Sequence, residues 1–92
     1  MTRRRYRSYR YVTRLLQSDL FGDLERDLLK DAAEGMLLAR SARSDEVEEM
    51  RASASAVLAE LVLIGRINAS VALEVQACIH DCGPADAVLA VA

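Results

Sequence analysis

Apolar residues recur along this chain at intervals of three and four, the spacing that gathers side chains on one face of a helix. Four such stretches are separated by turn signals. The first runs from Thr2 or Arg5 to Gln17. It places Val12, Leu15 and Leu16 on one side, Tyr9 and Tyr11 at the margins, and Arg3, Arg7, Arg10 and Arg14 in a narrow stripe opposite. The second runs from Asp23 to Ala42. Its apolar face is Leu24, Leu28, Ala32 and Met36, widened by Leu29, Ala33 and Ala39. Glu25 falls inside that sector and requires a partner or a boundary position, because an unpaired buried carboxylate is costly.

The third stretch runs from Ser44-Asp45 to Ile64. Ser44 and Asp45 are both good N-caps, Asp45 with Glu48 has the spacing of a capping box, and Gly65 suits the C-cap. Its expected core stripe is Val47, Met50, Ala54, Val57, Leu61 and Ile64, alternating steps of three and four as in a heptad repeat. On the opposite side Ala52, Ala56, Ala59 and Leu63 form a second apolar stripe. A helix that is apolar on two faces is covered on both or meets a partner. The fourth stretch starts after the cap Asn68 and runs from Ala69 to Cys82. Its inner face is Val71, Val75, Cys78, Ile79 and Cys82, and Gly83-Pro84 stops it. The tail beyond, Ala85 to Ala92, is apolar and nearly uncharged, and is expected to dock on the bundle or on a neighbour.

The expected fold is therefore all-α: one domain over residues 1–92, a small antiparallel bundle of about four helices, open to completion by a homodimer. Composition agrees. The chain has 92 residues, 52% of them hydrophobic and mostly Ala, Leu and Val, with a single proline. No apolar run approaches the ~20 residues of a membrane span.

Charge changes the picture more than composition does. The net charge of −2 conceals a basic arm, residues 1–16, with six arginines and no acid. The remaining chain carries six basic and fourteen acidic side chains. Arginines interleaved with Tyr6 and Tyr9 are what single-stranded nucleic acid or an acidic protein surface would engage, guanidinium on the anion and rings under bases. Within the chain, Asp23, Asp27 and Asp31 offer an alternative, pairing with Arg10 and Arg14 across a helical hairpin. The acidic body confines any nucleic-acid contact to residues 1–14. The arm is also similar in composition to a transit peptide, Arg-rich, acid-free and amphipathic. The default expectation is a cytoplasmic protein.

Candidate chemistry is sparse. Cys78, His80, Asp81 and Cys82 are the one group of metal-ligand types, but the two thiols share a face and His80 points about 160° away around the helix, so no metal site and no cofactor are expected. The cysteines read as small buried hydrophobes. With one histidine turned away from both thiols, and no glycine-rich phosphate loop, the chain is not expected to be an enzyme. The leading expectation is a non-enzymatic protein–protein interaction module: an adaptor, small regulator or inhibitor, or small subunit of a larger assembly. Ala52, Ala56, Ala59 and Leu63 would contact a second copy or a larger protein. Arg3, Arg7, Arg10, Arg14, Tyr6 and Tyr9 would supply an electrostatic surface. The alternative is a small nucleic-acid-binding regulator using that arm.

Overall fold

A computed structural model describes residues 3–84. Four helices are present: α1 (Arg3–Leu15), α2 (Asp23–Leu38), α3 (Asp45–Leu63) and α4 (Ala69–Cys82), with no strand among the described residues. The expected apolar tail, residues 85–92, lies outside them. The helices alternate in direction and enclose one core, in a body of 39 × 22 × 21 Å. α1 packs on α4 and α2, α3 packs on α2 and α4, and α2 meets α4 across the middle. α1 and α3 do not touch and occupy opposite corners.

Local chemistry sets most of the boundaries. Ser44 is the N-cap of α3, its hydroxyl accepting from the Val47 amide at 3.2 Å. Asp45 is thus the first helical residue, and the three acids of that turn, Asp45, Glu46 and Glu48, face the positive end of the helix dipole. Asn68 caps α4 in the same way, accepting from Val71 at 2.9 Å. α3 ends in a Schellman turn. The Arg66 amide donates to the Leu61 carbonyl at 2.9 Å and the Gly65 amide to Val62 at 3.0 Å. Gly65 sits at φ 77°, a conformation that favours glycine.

α2 begins at a cap with no side-chain bond, Gly22. Glu25 is half-buried and folds back over that glycine, so the boundary position it requires is the helix N-terminus itself. The helix ends at Leu38, four residues before the expected Ala42. Ala39 turns to extended geometry (φ −66°, ψ 141°) as its amide closes on the Met36 carbonyl.

The core is Val12 and Leu16 of α1 and its trailing turn, Phe21 of the first connection, Leu29, Ala32, Ala33, Met36 and Leu37 of α2, Val47, Ala54, Leu58 and Leu61 of α3, Ile67, and Val75, Ile79 and Cys82 of α4. Among the described residues no polar or charged residue is buried. The α4 face is the expected one. The α2 face is the expected one at Leu29, Ala32, Ala33 and Met36, but it is shifted to one side: Leu24 and Leu28 are 71% and 43% exposed, and Leu37 points inward. α2 touches three helices, so its buried sector is broad and is set by where those neighbours stand. In α3, Leu58 replaces Ile64, which is 57% exposed. A strict 3–4 repeat drifts by about 20° per heptad around a straight helix, so a stripe begun at Val47 has left the core by residue 64.

Candidate interaction surfaces

α3 turns four side chains of its own into the core, and the stripe opposite them is open. Ala52, Ala56, Ala59 and Leu63 are all exposed, Leu63 at 81%. Nothing among the described residues covers them. Acids border the stripe: Glu48 and Glu49 toward the start of the helix and Glu60 toward its end. Ser55, on the flank facing α4, accepts a 2.6 Å hydrogen bond from the Gln76 side-chain amide and ties the two helices together.

On the opposite corner, Arg3, Arg7, Arg10 and Arg14 are exposed along the outer side of α1. The pairing with Asp23, Asp27 and Asp31 that the spacing allowed is not made: those acids face solvent, and the ion pair found among the described residues is Asp23 with Arg26, at 3.0 Å. Val12 and Leu16 face the core, which turns the arginine stripe away from α2. Arg7, Arg10, Tyr11 and Arg14 line a shallow depression of 210 Å³. Tyr6 is exposed and tilted against Tyr9, ring centroids 6.4 Å apart, while Tyr9 is half-buried against the core. Burial, and then the carboxylate of Glu34, raise the Tyr9 phenol pKa. Tyr11 borders the stripe and donates to Glu74 of α4 at 2.9 Å.

Two arginines that the periodicity did not single out do structural work. Arg5 lies seven residues before Val12, on the inner side of α1. Its Nε donates to the Cys82 carbonyl at 3.0 Å, and Nη2 donates to Met36 at 3.0 Å and to Leu37 and Ala39 at 2.8 Å. One guanidinium thus satisfies terminal carbonyls of both α2 and α4, at the negative ends of both helix dipoles. At the other end of the bundle, Arg26 donates to the carbonyls of Leu16, Ser18 and Phe21 and to Asp23, capping α1 and fixing the first connection. The available signal was position: Arg5 is a charged residue in the inner register of a helix.

Cys78 and Cys82 face inward one turn apart, and the Cys82 thiol donates to the Cys78 carbonyl at 3.2 Å. Burial pushes the Cys82 thiol pKa up to about 12, with Cys78 and Asp81 adding to the shift and Arg5 opposing it. Cys78 is raised as well, chiefly by burial. A thiol so protonated is a poor nucleophile and a poor metal ligand. His80 is exposed on the other side of α4, and the described residues contain no group of three or more metal-ligand side chains. No helix among them is long and apolar enough to cross a membrane.

Comparison with protein-family models, with curated proteins and with solved structures gives no match.

Proposed function

We propose that this protein is a non-enzymatic interaction module, an adaptor, small regulator or small subunit of a larger assembly, that receives a partner helix on the outer face of α3. The observation that carries the reading is the open apolar stripe of Ala52, Ala56, Ala59 and Leu63. Alanines let a second backbone approach closely, and Leu63 with Ile64 supplies bulk at one end. The partner is a second copy or a larger protein. The arginine stripe of α1 stands on the opposite corner, so both surfaces can be engaged at once, the arginines raising the rate of encounter with an acidic partner. The protein acts in the cytoplasm, where its two thiols stay reduced.

Sedimentation velocity tests the reading, first on the protein alone and then with candidate partners captured from the native host. Self-association should appear at micromolar concentration and be lost in Ala56→Glu, which puts a charge at the centre of the stripe and leaves the core untouched. A wild-type protein that stays monomeric removes the second-copy version. Partners retained equally by wild type and Ala56→Glu remove the stripe.

A second reading is favoured by one observation: the four stripe arginines form no ion pair among the described residues, and Tyr6 and Tyr11 stand exposed beside them. Such a face suits single-stranded nucleic acid. A mobility shift at about 50 mM salt, lost when Arg7 and Arg10 are both changed to Glu and steeply salt-dependent, would support it. Absence of a shift in the wild type eliminates it.

A further inference from the structure

Between α3 and α4 a depression of 340 Å³ opens to solvent. Its walls are largely apolar, with Ala54 and Ile79 from the edge of the core and Leu73, itself 68% exposed, on the rim. Three charged or titratable side chains reach it: Arg51 from α3, and His80 and Asp81 from α4.

Arg51 is the unusual member. Its Nε is shielded from solvent and has no hydrogen-bond partner among the described residues, nor does its guanidinium form an ion pair there. Folded proteins pair nearly all their buried donors, and one left over calls for a physical reason. The contrast within this chain is direct. Arg5 and Arg26, the other two arginines that reach inward, are engaged on carbonyl oxygens at helix ends. Among the described residues Arg51 engages no helix-end carbonyl; its side chain lines the apolar hollow instead. A planar guanidinium lining such a hollow matches a carboxylate, whose two oxygens accept from its two terminal nitrogens. Asp81 on the same wall repels a second negative charge and so selects a single one.

We propose that the α3–α4 depression binds a small monocarboxylate with an apolar body, its carboxylate on the Arg51 guanidinium and its hydrocarbon on Ala54, Leu73 and Ile79. The pocket lies on the α4 flank of α3, away from the Ala52–Leu63 stripe, and is independent of what covers that stripe. The carboxylate belongs to a free short-chain acid or to a peptide C-terminus, and the two sources are separated by the probes.

The test is a titration of the labelled full-length protein followed by amide chemical shifts, with hexanoate as the free acid and N-acetyl-leucine as the peptide end. Saturable shifts confined to the amides of Arg51, Ala54, Leu73, His80 and Asp81 are expected, at a millimolar dissociation constant, as suits so small a ligand. The tighter of the two probes names the source. Hexanol, which lacks the charge, and adipate, which has two, should each bind at least ~10-fold more weakly than hexanoate. Arg51→Met should weaken hexanoate by a similar factor, and Arg51→Lys by less, because an ammonium keeps the charge although it cannot pair with both oxygens. No saturable shift with either acid overturns the proposal, as does hexanol or adipate binding as well as hexanoate. If Arg51→Met fails to fold, the four probes on the wild-type protein still decide it.

Discussion

α1 and α3 run parallel at opposite corners of the bundle and are held to it by different means. α3 is fixed by apolar volume: Val47, Ala54, Leu58 and Leu61 are buried, and its remaining ties are short-range caps and the single Gln76–Ser55 hydrogen bond at the surface. α1 contributes a single buried residue of its own, Val12, with Leu16 in the turn that follows. What it has in addition is Arg5, whose guanidinium reaches carbonyls at the ends of two other helices. A helix with many charges can be anchored by one of them if that charge meets helix C-termini, because the carbonyls there have no partners within their own helices. In both helices the outer face is left free of structural duty.

The largest effect should come from the inner face of α3. Leu58→Ala removes a fully buried side chain and is expected to cost about 2–5 kcal/mol in a urea titration. Leu63→Ala, on the outer face, should stay within about 0.5 kcal/mol. Comparable losses from the two would mean that the outer stripe is already packed on something in solution.

Arg5→Met comes next, at about 2–3 kcal/mol, since hydrogen bonds from a charged donor are the stronger kind and the freed carbonyls must find water at a crowded helix junction. The same change at Arg7, on the outer stripe, should leave the urea midpoint unmoved. An Arg5→Met protein as stable as the wild type would show that α1 is held by Val12 and Leu16 alone.

These contrasts mark what could be read along the chain. The caps at Ser44, Asn68 and Gly65 were legible because each acts on its own neighbours within five residues. The inner face of α4 was legible because its apolar positions form a single stripe. α2 was legible in part: Leu29, Ala32, Ala33 and Met36 are buried as their spacing implies, but Leu24, Leu28, Leu37 and Leu38 widen the apolar sector on both sides, and only the positions of α1, α3 and α4 choose among them. Ile64 departs from the 3–4 alternation because it is the C-cap of α3, at the end of a straight helix around which that alternation drifts. Of the candidate surfaces, the α3 stripe and the α1 arginines were visible as patterns. Arg5 shows in the sequence only as a charge in the inner register of α1, and Arg26 not at all, because their partners are backbone carbonyls, which are the same in every sequence.

A smaller effect should appear at alkaline pH. The Cys82 thiol, raised to about 12 in the fold from an ordinary value of 9.0, keeps its proton where the unfolded chain loses it. Stability from this group is therefore complete below about pH 9 and falls as the pH climbs toward 12. Cys78, Tyr9 and Tyr11 are shifted in the same direction and add to the slope. Urea midpoints between pH 8 and 11 should decline for the wild type and decline less for Cys82→Ala, measured against that variant's own neutral-pH value. An equal decline in both would place Cys82 in contact with water. The thiol also lies near Arg5, whose charge lowers its pKa, so in Arg5→Met the decline from this thiol should extend to higher pH.

The smallest effect concerns the edge of α1 between its inner and outer faces. Tyr11 bridges to Glu74 of α4 through a hydrogen bond at the surface, where water replaces it readily. Tyr11→Phe should leave the urea midpoint unchanged, yet the contact is visible another way. The bond to Glu74, then that carboxylate's charge, raise the phenol pKa above 10.0, so Glu74→Gln should bring the Tyr11 ring titration back down, as followed by NMR between pH 8 and 12. A phenol that titrates alike in both proteins would mean that the ring does not rest on α4 in solution. Tyr11 would then be free to swing over the depression it lines with Arg7, Arg10 and Arg14, adding a ring to the arginine stripe rather than a tie to the bundle.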